Sequence, residues 1–169
     1  MRSKFKITVL VLFAILGFSF FFLYTYIHAD NRFFMPVKNA SRNDYSQKSM
    51  GSPRVGHKHH GADIFAKKGT PVLSSTRGIV IYKGILKLGG KVVLVLGPGF
   101  KMYYYAHLDT IMTTKLNVVE AGEQIGKVGN TGNAKNTPAH LHFSIRNFFP
   151  YKKGSFEDPV PFLNKAVSL

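Results

Sequence analysis

Hydrophobic and polar residues alternate along the stretch His140-Leu141-His142-Phe143-Ser144-Ile145-Arg146. A period of two predicts a β-strand, because successive side chains of a strand point to opposite faces. One face would then carry only polar side chains, and the other face would pack Leu141, Phe143 and Ile145 into a core. The histidines His140 and His142 would lie about 7 Å apart at their Cα atoms. That spacing allows both imidazoles to serve one site in different roles.

Short apolar runs, bounded by glycine, proline or asparagine, succeed one another beyond Pro53. They are rich in β-branched and aromatic residues, which favours strands. The runs cover residues 71–74, 78–82, 91–96, 101–105 and 124–128. No pattern of a long amphipathic helix occurs between residues 51 and 151. We therefore predict an all-β domain, a compact antiparallel β-sheet sandwich, with a short helical turn packed on the sheet near residues 158–163.

The N-terminal segment differs from the rest, because residues 7–27 contain no charged side chain. About 20 apolar residues suffice to span a bilayer core. Basic residues precede the run, which places the N-terminus in the cytoplasm. We predict one N-terminal transmembrane helix that acts as an uncleaved, single-pass signal anchor. Secretion after cleavage near Ala29 is the alternative, although the apolar part of a signal peptide usually has about 7–15 residues.

These patterns predict three parts. Residues 1–29 form the signal anchor, residues 30–53 form a polar tether and domain entry, and residues 54–169 form the folded domain. The apolar patch 33–37 within the tether is a candidate first strand or docking segment.

Charge and cysteine content narrow the possible partners. The formal net charge is +15, which favours polyanions such as nucleic acid, anionic envelope polymers or lipid head groups. The apolar leader and the lack of a recognised nucleic-acid-binding motif argue against nucleic acid. The chain has no cysteine, so histidines and carboxylates must hold any metal ion.

A second group of candidate ligands lies upstream, where His57, His59 and His60 precede Asp63. In a flat strand, His59 and Asp63 would be about 13 Å apart at Cα. Joint ligation therefore needs a bend, which Gly61 permits. Taken alone, each histidine of this group is better explained as a solvated surface residue than as a ligand. His107, which comes after three tyrosines, is by itself better explained as a buried core histidine.

The order of these groups carries more information than any one of them. The sequence reads H-x-x-x-D, then Y-A-H-L, then G-N-T-G-N, and then H-L-H-F, and here it resembles the lysostaphin-like zinc metallopeptidases of the M23 family. These enzymes cut peptidoglycan cross-bridges or stem peptides. The resemblance covers residues 53–146 and includes Gly69-Thr70-Pro71-Val72 and Gly122-Glu123-Gln124-Ile125-Gly126.

The resemblance implies a lysostaphin-like (duplicated hybrid motif) peptidase fold and one Zn²⁺ per chain. It implies His59, Asp63 and His142 as the zinc ligands. His107 and His140 would be the catalytic histidines, which handle protons and stabilise the oxyanion. The chain departs from the family at Ser144, where glutamate is frequent, and at 137–139, where a Gly-Pro pair is frequent.

The function predicted in this way is a zinc-dependent endopeptidase that hydrolyses peptide bonds in bacterial peptidoglycan. It would be anchored in the bacterial cytoplasmic membrane, with its catalytic domain on the periplasmic or cell-wall side. The alternative is a membrane-tethered, non-catalytic module that binds peptidoglycan or activates another cell wall hydrolase. All five positions of the site are filled, which favours the enzyme. Nothing in the sequence indicates an oligomeric state.

Overall fold

The computed structural model describes residues 2–28, 32–54, 57–147 and 155–169. The alternative cleavage point after Ala29 lies outside the described residues. The predicted strands beyond Pro53 and the predicted closing turn all lie within these ranges.

One long helix opens the chain, and short strands follow it along the rest of the described residues. The helix α1 spans Arg2–His28, and a single helical turn, α2, spans Val160–Leu163. The strands are β1 (Pro53–Arg54), β2 (His57–Lys58), β3 (Ala62–Phe65), β4 (Pro71–Leu73), β5 (Gly78–Leu86), β6 (Gly90–Gly97), β7 (Lys101–Leu108), β8 (Thr110–Ile111), β9 (Val118–Val119), β10 (Gln124–Lys127), β11 (His140–Asn147) and β12 (Phe156–Glu157). Each predicted strand is therefore confirmed, and so is the closing helical turn.

The main sheet has seven strands, in the order β12-β11-β7-β6-β5-β9, with β3 paired to β11 beside β12. A second sheet has three strands, in the order β4-β10-β8. The pairings between these strands are antiparallel. One cluster of buried side chains joins the two sheets, with Val72 and Ile125 from the smaller sheet and Tyr105 and Phe143 from the larger. The predicted all-β class with a preceding apolar helix is thus confirmed.

Strand β11 shows the predicted alternation. Leu141, Phe143 and Ile145 are fully buried in the core. The opposite face of β11 continues across β7, because His142 pairs with Ala106 and Arg146 pairs with Met102. This outer face of the main sheet is the surface on which the candidate site lies.

The segment before β1 packs against the domain. Phe34, Val37 and Tyr45 are buried, and each forms a single β-bridge, to Val167, Val72 and Ile64 respectively. The docking role expected for the apolar patch 33–37 agrees with these contacts. The division of the chain at residue 53 itself stays a prediction.

Helix α1 is long and apolar enough to cross a membrane, and a signal sequence would have the same properties. Its C-terminal end contacts the domain. His28 Nε2 accepts a hydrogen bond of 2.9 Å from the Gly99 amide, and the Arg77 guanidinium lies 4.1 Å from the centre of the Tyr26 ring. Tyr26 also donates a hydrogen bond to the Glu120 carboxylate. These contacts join α1 to the end of the main sheet where β5 and β7 begin.

The packing of the segment before β1 predicts a stability effect. Replacing Phe34, which is 5% exposed, by alanine should lower the free energy of unfolding of the full chain by about 3–5 kcal/mol. Ile85→Ala is the matched control, because Ile85 is 75% exposed and its loss should cost less than about 0.5 kcal/mol. Chemical denaturation in detergent measures both changes. Equal effects would show that the segment is a loose tether.

Candidate metal centre

The pairing of β3 with β11 brings a carboxylate and an imidazole together. Asp63 lies opposite His142 in the register, and His142 Nδ1 is 2.9 Å from Asp63 Oδ1. His59 joins them from the turn before β3, with its Nε2 atom 3.0 Å from Asp63 Oδ1 and 3.0 Å from His142 Nδ1. The three predicted ligands therefore converge at one point. Their role as zinc ligands stays a prediction.

Ser49 fixes the orientation of His59, although no sequence motif indicates a role for this residue. The Nδ1–H of His59 donates to the carbonyl oxygen of Ser49 at 2.9 Å, and the Ser49 hydroxyl lies 3.1 Å from the same nitrogen. Because Nδ1 bonds to Ser49, Nε2 is the nitrogen of His59 that faces Asp63 and His142. A backbone carbonyl that holds a ligand histidine in this way is common around protein-bound metals.

Gly61 is needed for close packing. A β-carbon at this position would collide with the Phe143 carbonyl oxygen, and it would lie 2.9 Å from Cε1 of His142. The sequence suggested that Gly61 allows a bend between His59 and Asp63, and the chain does turn there. The structure adds a second reason for glycine, because the turn passes directly over the His142 ring.

The electrostatics of this cluster favour an ionised carboxylate. Burial alone would raise the pKa of Asp63, but the hydrogen bonds from His142 and His59 outweigh it and hold this pKa well below its usual range. Burial lowers the pKa of His142, with the neighbouring Asp63 acting in the opposite direction. A carboxylate oxygen and imidazole nitrogens are ligand atoms that zinc accepts.

The spacing of the donors also fits a zinc ion. Donor atoms of a tetrahedral zinc site lie about 3.3 Å apart, since each is about 2.0–2.1 Å from the metal. The three atoms here form a triangle with sides of 2.9, 3.0 and 3.0 Å. Small movements of the side chains would therefore accommodate the ion.

His107 reaches the same site through an irregularity in β7. Opposite β6, Leu108 pairs with Lys91 and Tyr105 pairs with Val93, so β7 contains one extra residue there. His107 lies in this bulge with a positive φ of 62°. Bulges redirect side chains beside active sites. The bulge turns His107 toward the outer face, where its ring centre lies 5.0 Å from that of His140.

His107 and His140 share one arrangement. The Nδ1–H of His107 donates to the Thr131 carbonyl at 2.9 Å, and that of His140 donates to the Pro138 carbonyl at 2.8 Å. Nε2 is thus the nitrogen of each ring that is left to accept or donate a proton. Nε2 of His140 is 4.0 Å from Asp63 Oδ1. Burial, with a smaller contribution from the neighbouring histidines, lowers the pKa of His107 to about 4.

The G-N-T-G-N motif of the sequence explains why these rings are held firmly. Besides its carbonyl, Thr131 uses its hydroxyl, which accepts from the Lys91 amide and donates to the Leu108 carbonyl, both at 2.9 Å. The Gly129 carbonyl accepts from the His140 amide at 3.1 Å. The motif therefore supports both histidines. The spacing of residues within the G-N-T-G-N motif does not by itself indicate that the motif supports His107 and His140.

A cleft of about 830 Å³ lies over these residues. All five predicted site residues line it, together with apolar side chains that include Phe65, Leu94, Met102 and Tyr104. His60 also lines the cleft, but its ring stacks on Phe156 at 4.4 Å between centres. The side chain of His57 lies outside the described part of the chain.

A mostly antiparallel β fold, with a His/Asp/His cluster that could hold a metal ion and two further histidines in one cleft, agrees with the metallopeptidase family that the sequence resembles. The family model of peptidase family M23 matches residues 57–159. The chain therefore belongs to peptidase family M23.

Known proteins resemble the chain in both sequence and structure. Glycyl-glycine endopeptidase ALE-1 of Staphylococcus capitis is 34% identical over 113 residues, which cover 66% of this chain and 30% of that protein. The L-Ala--D-Glu endopeptidase of Bacillus subtilis (strain 168) is 35% identical over 138 residues, which cover 72% and 40%. This chain therefore spans less than half the length of these curated relatives.

Among solved structures, the catalytic domain of lysostaphin from Staphylococcus simulans superposes with a TM-score of 0.64 at 28% identity, and the match covers 74% of this chain and 98% of that one. A zinc-containing peptidase from Vibrio cholerae superposes with a TM-score of 0.56 at 27% identity, covering 69% and 37%. The lysostaphin-like fold expected from the sequence is thus confirmed.

The strained backbone of His107 allows a matched pair of variants. A side chain with a β-carbon loses about 1–2 kcal/mol in the left-handed region, and glycine does not. The free energy of unfolding should therefore be about 1 kcal/mol higher for His107→Gly than for His107→Ala, although both variants lack the imidazole. Thermal denaturation of the two variants makes the comparison. If the alanine variant were the more stable, His107 would not occupy the bulge conformation.

Proposed function

We propose that the protein is a zinc-dependent endopeptidase that hydrolyses peptide bonds in bacterial peptidoglycan. One observation carries this proposal: three donor atoms of His59, Asp63 and His142 meet beside two further histidines, in a cleft large enough for a peptide. The curated relatives named above include two peptidases whose names specify glycyl-glycine and L-Ala–D-Glu bonds. The bond that this protein cuts is not implied by either name.

His59, Asp63 and His142 would hold one Zn²⁺ per chain. When bound at such a site, zinc polarises a substrate carbonyl and lowers the pKa of a coordinated water toward 7. The protein contributes the orientation of the donors. The Ser49 carbonyl keeps the lone pair of His59 directed at the site, and the β3–β11 pairing holds Asp63 against His142.

His107 and His140 would handle the protons. Both rings keep Nδ1–H bonded to a backbone carbonyl, so Nε2 is available on each. With its pKa near 4, His107 is neutral at neutral pH and can accept a proton from the attacking water. An imidazolium, which carries a proton on Nε2 as well as on Nδ1, can donate a hydrogen bond to the developing oxyanion, and this would be the role of His140. His107 would then give the proton taken from the water to the nitrogen of the leaving amine as the peptide bond breaks.

The protein would act from the outer surface of the bacterial cytoplasmic membrane. Helix α1 contacts the end of the main sheet where β5 and β7 begin, and His107 and His140 lie at the other end. The eight residues of β7 separate the two ends by about 25 Å. The histidines would therefore face away from the bilayer, toward the cell wall.

The first test is digestion of purified peptidoglycan by the full chain in detergent. Mass spectrometry should detect fragments with new peptide termini, and His142→Ala should reduce their release by at least about a thousandfold, because it removes a donor of the cluster. Peptidoglycan from several wall types should be tried. A properly folded, zinc-loaded chain that releases no fragment would overturn the endopeptidase and favour the non-catalytic binding module.

The second test measures metal content. We expect one zinc per chain, and removal of zinc by a chelator should abolish cleavage until zinc is restored. Asp63→Ala should weaken zinc binding by more than the roughly 10–100-fold that changes outside the ligand set cause. His60→Ala is the matched control and should keep one zinc, since His60 lines the same cleft without joining the cluster. Chelator-resistant cleavage would contradict the mechanism.

A further inference from the structure

The cleft extends well beyond the histidines. Its floor runs along the outer face of β11, from His140 through His142 and Ser144 to Arg146. Arg146 lies four residues after His142, so their Cα atoms are about 13 Å apart. An extended peptide spans this distance with about four residues. A substrate cut at the histidines would therefore pass Arg146.

The Arg146 side chain is held on an aromatic surface. Its guanidinium carbon lies 5.2 Å from the centre of the Phe156 ring. Phe156 also stacks with the His60 ring, with 4.4 Å between ring centres and an angle of 10°. Phe156 is also the register partner of Arg146 between β12 and β11. Stacking on an aromatic ring and a planar fork of donors suit arginine for binding a carboxylate through two hydrogen bonds.

The charges that line the cleft favour an anionic ligand. Among the lining residues that the structure describes, Lys58 and Arg146 are cations and Asp63 is the one carboxylate. Asp63 already interacts with His59 and His142. Between His142 and Arg146, the floor carries Ser144. The short hydroxyl adds no negative charge beside Arg146.

We propose that Arg146 binds a free carboxylate of the peptide substrate, within about four residues of the bond that is cut. This inference rests on the proposed function and narrows it. The preferred substrates would be acidic peptides with a free carboxyl group near the cleaved bond, and uncharged bridges of glycine would be poor substrates. Arg146 would act as a specificity residue, whereas the chemistry stays with the histidines.

The test compares two forms of one substrate. Soluble cross-linked peptides are prepared from a single batch of peptidoglycan, and the carboxyl groups of one half are converted to amides with a carbodiimide and ammonia. The full chain, with zinc, should cut the untreated peptides with a kcat/KM about tenfold to hundredfold higher, as expected for loss of a hydrogen-bonded charge pair. Arg146→Gln should cut both forms at similar rates. Arg146→Lys should keep part of the difference.

A second variant tests the charge of Arg146 by adding a carboxylate beside it. Ser144→Glu places a carboxylate between His142 and Arg146, and it should reduce the preference for untreated peptides about as much as Arg146→Gln does. Ser144→Gln is the matched uncharged control and should keep the preference. Zinc content and thermal unfolding confirm that each variant is folded.

The outcomes separate the two proposals. Equal cleavage of both substrate forms by the wild-type chain would overturn the role of Arg146 and leave the endopeptidase intact. An Arg146→Gln variant that loses activity equally on both forms would also overturn it, since that result indicates a structural role. If the wild-type chain cuts neither form, the proposed function fails, and the inference about Arg146 fails with it.

Discussion

The antiparallel pairing of β3 with β11 is the constraint on which the site depends. It places Asp63 opposite His142 on the outer face of the sheet. The neighbours Ala62 and Ile64 are fully buried on the other face, and their burial fixes the register. A slip by one residue would turn Asp63 into the core and Ile64 into the cleft. The burial of Ala62 and Ile64 on the core face therefore determines where the Asp63 carboxylate lies on the opposite face.

The same principle extends to the rest of the main sheet, with one exception. Tyr103 and Tyr105 fill the core while Met102 and Tyr104 face the cleft, as regular alternation requires. Continued alternation would have placed His107 on the core face. The extra residue in β7 breaks the pattern at that point, and the positive φ of His107 is the local cost of directing an imidazole at the site.

These details explain which features the sequence could predict. The alternation of residues 140–146 predicts the strand and its two faces, because one face packs a core and the other carries polar groups. The ligand set came from resemblance to a family, since spacing alone leaves His59 and Asp63 about 13 Å apart in an extended chain. The turn that closes this distance depends on tertiary contacts, among them the packing of Gly61 over His142.

Other parts of the site had no signal in the sequence. Ser49 supports His59 through its backbone carbonyl, and any residue type could supply that atom. The strand β3 is only four residues long, and its histidine-rich surroundings hide its alternation. The β7 bulge arises from pairing with β6, which is a non-local property. Features that depend on backbone atoms or on long-range register were thus beyond prediction from side-chain patterns.

The segment before β1 runs from helix α1 to the candidate site. Its polar composition does not suggest that it supports the site. It leaves the end of α1, packs Phe34 and Val37 on the smaller sheet and the C-terminal segment, and reaches His59 through Ser49. The segment is polar overall, yet its few apolar residues are buried, and this determines where its backbone lies. Because the Ser49 carbonyl belongs to this segment, the orientation of His59 depends on residues outside the part of the chain that matches the M23 family. The residues that support the site therefore extend beyond the family match, at least as far back as Ser49.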